Sequence, residues 1–376
     1  MEEIKSPYGY LLTEENIPFV VTKEGAVKVE EDKNGNPVIA VEISDKAVKG
    51  SIQISKTDEA LEGISYDTLT DRIRSVVGEE ARNIDFVYED HALAGTVFHV
   101  IAAENIYTPS NQLGEDGKRE LSLINGVPAT KGAIVATLTT DEKGEAQMDG
   151  LPLGKYLVQE VQAVTGYAIC AKPVEVELAY EDDHTEVVYG NAEFENERVK
   201  TELFVIKTDG VTEHPVEGAT YGVYAGQDFA NVYGDVKVVS GSLIGTAVTN
   251  ASGTAVFTND LPLGSYYVKE IESPKGYVLD EKSYDVDFVY KDQDTVLLEQ
   301  QVVVKETPII VEVSKKDITT GKELKGATLE VLDAEGEVYA SWVTDGTPYQ
   351  LEAIPAGEYT LRETASPYGI AIFITV

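Results

Sequence analysis

A single cysteine, Cys170, in 376 residues excludes any internal disulfide. Small secreted β domains stapled this way are therefore ruled out, and any staple must use other chemistry. No glutamine is matched to Cys170 for a thioester, and it reads as a structural thiol. Basic residues are scarce, 30 against 66 acidic, for a formal net charge of -36. Such a surface repels phosphate backbones and anionic lipid, which argues against nucleic-acid and membrane partners. No apolar run approaches the roughly 20 residues needed to span a bilayer. The four histidines (His91, His99, His184, His214) lack ligand spacing, and acidic turns such as Glu181-Asp182-Asp183 lack the alternating ladder of a calcium loop, so no metal or cofactor is expected. No G-x-S-x-G, H-E-x-x-H or phosphate loop occurs, and no turnover enzyme is expected.

What the chain does have is repetition. Leu151-Pro-Leu-Gly-Lys-Tyr-Leu-Val-Gln-Glu160, closed by Gly166-Tyr167, returns at Leu261–Tyr277 and Ile354–Ile370, and the chain opens inside a further copy at Glu3–Tyr10. Each copy places a glutamate six residues before a glycine: Glu3/Gly9, Glu160/Gly166, Glu270/Gly276 and Glu363/Gly369. Met1 falls inside a repeat and no signal peptide precedes it, so the sequence reads as a piece of a longer chain whose targeting signals lie elsewhere.

A second element lies upstream of each glutamate. Ile52-Gln-Ile-Ser-Lys56, Val205-Ile-Lys207 and Val311-Glu-Val-Ser-Lys315 are each followed by a glycine and a short apolar strand. The lysine-to-glycine spacing is 11 residues in the later two (Lys207 to Gly218, Lys315 to Gly326) but 39 in the first (Lys56 to Gly95). Within this insertion, at about 62–90, Leu69, Ile73, Val76 and Val77 keep helical spacing and Gly78 is a stop signal. Everything else reads as short alternating strands separated by turns such as Asp141-Glu-Lys-Gly144 and Asn250-Ala-Ser-Gly253. The expected fold is all-β: tandem antiparallel β-sandwiches with one short helical insertion. Expected domains are 1–47 (the end of a truncated unit), 48–199, 200–308 and 309–376 (a unit without its last strand). The links are too short for a flexible string.

Strand alternation sends particular polar residues inward. Ile52, Ile54 and Lys56 share a face, as do Leu203, Val205 and Lys207, and Val311, Val313 and Lys315. Tyr156, Val158 and Glu160 share one too, and the pattern recurs at Tyr266/Val268/Glu270 and Tyr359/Leu361/Glu363. On the final strands Phe194 and Asn196 are in phase, as are Val41, Ile43 and Asp45, and Val302, Val304 and Glu306. An unpaired charge in an apolar core costs several kcal/mol, so each lysine must be paired, neutralised or consumed.

Lysine on the first strand, a Y-x-L-x-E glutamate ahead of Pro-x-Gly-Tyr, and a last-strand asparagine resemble the Cna-B and SpaA-type domains. These are the prealbumin-like modules of Gram-positive pilins and adhesins. The resemblance covers the whole chain in four partial or complete copies, although Val164-Thr-Gly-Tyr167 replaces the proline version. It implies that the lysine attacks the asparagine carboxamide, assisted by the glutamate, forming an intramolecular isopeptide bond with release of ammonia. The residues suit that chemistry: burial favours a neutral amine and a protonated carboxyl, and folding supplies proximity.

The complete set implied is Lys56, Glu160 and Asn196. In the second unit Lys207 and Glu270 are present but Glu306 replaces asparagine; an ion pair is expected, with a Lys–Glu amide chemically open. Lys315 and Glu363 lack a last-strand partner, while Glu3 and Asp45 lack a lysine strand. The resemblance implies a stalk segment of an extracellular, wall-attached adhesin or pilin-related protein, partnered by neighbouring domains of the same protein. The alternative is a binding module whose 62–90 insertion recognises a host protein or glycan. For the insertion itself, covering a sheet edge and presenting a binding surface both remain open.

Overall fold

The computed structural model describes residues 3–13, 30–31, 33–34, 37–38, 43–69, 71–78, 82–109 and 119–367. The chain divides into two compact units: residues 1–60, 89–199 and 290–296 form the first, and residues 61–88, 200–289 and 297–376 the second.

The strands of the first repeat are β1 (Lys49–Asp67), β2 (Asn83–Ala92), β3 (Val97–Ala102), β4 (Ile134–Thr139), β5 (Glu145–Leu151), β6 (Gly154–Gln162), β7 (Val174–Leu178) and β8 (Val187–Asn196), with the part of β1 after Ala60 and the part of β2 before Glu89 counted in the second unit. One sheet has the order β7-β6-β3-β4, all antiparallel; the other has the order β8-β1-β2, with β5 also paired to β1. Side chains from both sheets meet in one core that includes Ile52, Ile54, Phe98, Tyr156, Val158 and Phe194. The apolar positions alternate with exposed ones such as Gln53, Ser55 and Glu195, as a half-buried strand requires. The first and last strands of the unit, β1 and β8, run parallel, with Lys56 opposite Phe194 and Asp58 opposite Asn196.

The second unit repeats this plan with β9 (Lys200–Asp209), β10 (Thr220–Ala225), β11 (Leu243–Val248), β12 (Thr254–Phe257), β13 (Gly264–Glu272), β14 (Ser283–Phe288) and β15 (Leu297–Pro308). One sheet follows β11-β10-β13-β14; in the other β9 lies between β12 and β15. Here too the first and last strands, β9 and β15, are parallel, with Lys207 opposite Val304 and Asp209 opposite Glu306. The Leu-Pro-Leu-Gly-x-Tyr repeat has a local reason: the Tyr156 hydroxyl donates to the Pro152 carbonyl at 2.8 Å, and Tyr266 does the same to Pro262 at 2.5 Å. A buried phenol thus finds its partner four residues back, just before its own strand begins.

Further along the chain lie β16 (Ile310–Val313), β17 (Lys325–Leu332), β18 (Val338–Asp345), β19 (Tyr349–Glu352) and β20 (Thr360–Ala365). They pair as β16-β19 and β18-β17-β20. The inward phase expected for this repeat is only partly realised: Val311 is 40% exposed and Leu361 53%. Gly369, Ile370 and Val41 lie outside the described residues, and Ile43, expected on a core face, is 38% exposed.

The insertion departs most from expectation. β1 continues to Asp67, a helix α1 spans Asp71–Val77, and β2 returns the chain. Gly78, at φ +112°, closes the helix by donating to the Arg74 carbonyl. Val76 does not join the apolar stripe and is 52% exposed, whereas Leu69 is buried. Rather than covering a sheet edge of its own repeat, residues 61–88 belong to the second unit, where Ile84 and Phe86 enter the core. Phe86 meets the Phe229 ring edge-on at 5.7 Å, the Asn259 amide donates to the Ile84 carbonyl at 3.0 Å, and the Tyr88 hydroxyl donates to the Asp260 carbonyl at 3.0 Å. These partners give the insertion the packing of a core segment. Phe86→Ala is therefore expected to destabilise the second unit by about 3–5 kcal/mol in denaturant unfolding. A loss below about 1 kcal/mol would show that the insertion only rests on the surface.

Candidate functional site

In the first unit the inward phase of β1 carries Lys56 into full burial, at 0% exposure. Its Nζ contacts the Asp58 carboxylate and donates to the Thr57 carbonyl at 3.3 Å. Asn196, on the neighbouring strand β8, turns its carboxamide toward Glu160 on the facing sheet: Nδ2 donates to Glu160 Oε1 at 2.6 Å. The backbone N–H of Cys170 serves both groups, donating to Asn196 Oδ1 at 3.0 Å and to Glu160 Oε2 at 3.3 Å. Burial raises the Glu160 carboxyl above its ordinary range, against the opposing pull of Asn196 and the Lys56 charge. The structure thus brings Glu160 and Asn196 into contact and places Lys56 beside them, two residues out of register with Asn196 on the adjoining strand.

In the second unit Lys207 is equally buried and has three polar neighbours. Its Nζ donates to Tyr221 Oη and to Glu270 Oε1, both at 2.8 Å, and contacts the Glu306 carboxylate. Burial pushes the Lys207 amine below its ordinary range, while the Glu270 carboxylate pulls the other way. Glu306 reaches Lys207 from the position that corresponds to Asn196, since it too lies opposite the aspartate two residues past the lysine.

The two partial sites keep parts of this geometry. Lys315 and Glu363 form an ion pair at 3.0 Å, with the lysine side chain 25% exposed. Glu3 and Asp45 are joined through Thr13, whose N–H donates to Glu3 at 3.0 Å and whose hydroxyl donates to Asp45 at 3.1 Å. A shared rule connects three copies: the repeat glutamate accepts from the backbone N–H ten residues on, which is Thr13 for Glu3, Cys170 for Glu160 and Asp280 for Glu270. That spacing is visible in the sequence, but no side chain marks it. Cys170, expected as a buried thiol, is half-buried against the first unit's core, and its contribution to the site is its N–H.

Sequence reasoning missed two supports. The first is the turn glycine. Lys56 N–H donates to the Gly144 carbonyl at 2.8 Å, and Lys207 N–H to the Gly253 carbonyl at 2.8 Å. Both glycines have positive φ, +70° and +73°, and a Cβ on either would lie 2.3 Å from the lysine's own carbonyl oxygen. Only glycine lets the turn press against the lysine backbone. The second is Asp58, whose counterparts Asp209 and Asp317 sit in turns. Asp209 accepts from Val211 N–H at 2.8 Å and Thr212 N–H at 2.7 Å; Asp317 accepts from Thr319 N–H at 2.8 Å and Thr320 N–H at 2.7 Å.

Gly144→Ala is expected to cost more than Gly126→Ala. Gly126 also has positive φ, +79°, but open space around its missing Cβ, so it reports backbone strain alone, of about 1–3 kcal/mol. Equal losses for the two variants in thermal unfolding would show that the close approach to Lys56 has no energetic weight.

The model of the SpaA prealbumin-like fold domain matches residues 50–193, 201–302 and 310–375. A trypsin-resistant surface T6 protein of Streptococcus pyogenes is 34% identical over 80 residues, which span 21% of this chain and 12% of that protein's length. Among solved structures, the Bacillus anthracis TIE protein is 21% identical, covers 88% of this chain and 49% of its own, and has a TM-score of 0.48. The major pilin subunit BcpA of Bacillus cereus is 16% identical, covering 85% of this chain and 89% of its own with a TM-score of 0.34. With three matches along most of its length, the chain belongs to the SpaA prealbumin-like fold domain family.

Proposed function

We propose that this chain is a stalk or shaft segment of a Gram-positive cell-surface adhesin or pilin-related protein, stapled by a self-formed Lys56–Asn196 isopeptide bond. The observation that carries the bond is the contact of Glu160 with the asparagine Nδ2, made in a core that also buries Lys56 completely. A neutral Lys56 amine attacks the Asn196 carboxamide carbon. The Cys170 N–H, already on Oδ1, stabilises the oxygen as charge develops there. Glu160, whose carboxyl burial raises above its ordinary range, gives a proton to Nδ2, which departs as ammonia, and the carboxylate takes the proton shed by the new amide nitrogen. Lysine amine plus carboxamide becomes secondary amide plus ammonia. The reaction runs once, so the unit is a substrate of its own fold and not a turnover enzyme.

In the second repeat we infer a non-covalent staple. Lys207 is satisfied by Glu270, Glu306 and Tyr221, and a carboxylate is a far weaker electrophile than a carboxamide. The stalk reading draws further support from the streptococcal surface protein to which the chain is similar, and from the insertion, whose Ile84 and Phe86 are used in packing. Such a segment would lie outside the cell, attached to the wall, with neighbouring domains of the same protein as partners. The sequence repeats at 48–199, 200–308 and 309–376 would be its modules, each a sandwich with its lysine on the first strand.

The intact mass of the folded chain, compared with its Glu160→Ala variant, tests this. The parent should be lighter than its sequence by one ammonia, and the variant should show the full sequence mass. A parent at full mass would refute the covalent staple; an additional loss of one water would refute the ion-pair reading of Lys207 and Glu306. Where the bond forms, its closed loop should add roughly 3–5 kcal/mol to stability.

A further inference from the structure

We propose that Asp58 is the base that takes the proton from Lys56, so that the first repeat divides its proton transfers between two carboxylates. This rests on the isopeptide reading above and adds a residue to it. Each lysine is followed two residues later by an aspartate: Asp58, Asp209 and Asp317. In the later repeats that aspartate is tied into a turn by two backbone N–H groups. Burial pushes Asp209 up, but the Thr212 and Val211 N–H groups outweigh this and hold it below the ordinary range; Asp317 is held low by Thr320 and Thr319. Neither is suited to accept a proton.

In the first repeat the turn does not exist, because β1 runs straight on into the insertion. Asp58 is left on the inward phase of the strand, 1% exposed. One oxygen, Oδ1, contacts Lys56 Nζ and accepts from the Asn196 N–H; the other, Oδ2, has no hydrogen-bond partner. A buried carboxylate with a bare oxygen is poorly compensated, and protonation relieves it. Burial accordingly raises Asp58, against the pull of Lys56 and the Asn196 N–H. The geometry assigns distinct tasks: Asp58 is on the nucleophile, and Glu160 is on the leaving nitrogen.

The balance is simple. The Lys56 ammonium gives one proton to Asp58, leaving a neutral amine and a neutral acid. The amine attacks the Asn196 carbonyl carbon, the C–Nδ2 bond breaks, and ammonia leaves with a proton from Glu160, which is restored by the attacking nitrogen. Asp58 then returns its proton to the ammonia, so lysine ammonium and carboxamide become amide and ammonium ion.

The groups whose charge or burial bears on Asp58 are Lys56 on its own strand, Glu160 from the facing sheet, Tyr167, which burial pushes up to about 12 and so keeps neutral, and the outward-pointing Glu195 on β8, which acts through its charge alone. The test is to refold the denatured, unlinked chain and follow ammonia loss by intact mass in the parent and in Asp58→Asn and Asp58→Ser. Two variants are used so that a fold lost in one is kept in the other, with circular dichroism reporting folding. In a folded variant the reaction should slow by about 10²-fold. Its residual rate should also climb with pH, since the proton must then leave without a carboxylate to take it, while the parent changes less. A folded variant that reacts within about twofold of the parent, with the same pH profile, overturns the role of Asp58. A parent that never loses ammonia overturns the isopeptide reading itself, and the assignment of Asp58 with it.

Discussion

Everything in both units is arranged around a lysine ammonium in a place where water cannot reach it. Lys56 and Lys207 are both fully buried, and the strand phase that buries them is the same phase that supplies the core with Ile54 and Val205. Shifting either strand by one residue would expose the lysine and bury its polar neighbours, so the core and the site cannot be built separately. The desolvation cost of such a charge amounts to several kcal/mol. It must be offset by carboxylates beside it or removed by chemistry. The two repeats differ in the carboxylates that meet the lysine, Asp58 in the first and Glu270 with Glu306 in the second, and on the last strand in Asn196 against Glu306.

Much of the site was legible in the sequence because alternation is a strong constraint. Lys56, Glu160, Asn196, Lys207, Glu270 and Glu306 all occupy the inward positions that a period of two assigns them. Asp58 was not legible for a physical reason. Lys-Thr-Asp reads as a strand running into an aspartate-capped turn, and in the second repeat it is one. Only the continuation of β1 past the usual turn reassigns that carboxylate, and continuation is decided by where the inserted segment packs. The destination of Ile84 and Phe86 is likewise a tertiary fact: their alternation announces a buried face, but not which core will bury it. The glycine turns were legible as turns, whereas their approach to the lysine carbonyls shows only when a Cβ is placed there.

The last repeat shows the limit of pattern reasoning from the other side. Val311 and Leu361 have the same phase as their buried counterparts, yet both are substantially exposed. Its Lys315–Glu363 pair is made, but at a distance of 3.0 Å and in a partly open setting. Screening by water leaves such a pair worth little. Phase therefore states which face would be buried; the amount of burial depends on a facing layer that closes over it.

The parallel pairing of first and last strands gives the two kinds of staple different consequences. In the first unit β1 and β8 lie side by side, and a bond from Lys56 to Asn196 would join the beginning of the domain to its end at neighbouring positions. Tension applied along the chain would then pass through the bond and leave residues 57–195 unloaded. In the second unit β9 and β15 have the same relation, but the Lys207–Glu306 contact must resist as an ion pair, helped by ten paired positions between the strands. Parallel strands pulled from opposite ends load their hydrogen bonds together in shear, so an ion pair buried from water can hold while those bonds hold. Once they part, water enters and the pair loses the low dielectric that made it strong. A covalent staple has no such dependence. If the proposed bond forms, the Asn-to-Glu exchange would separate a repeat that can only yield locally from one that yields as a whole.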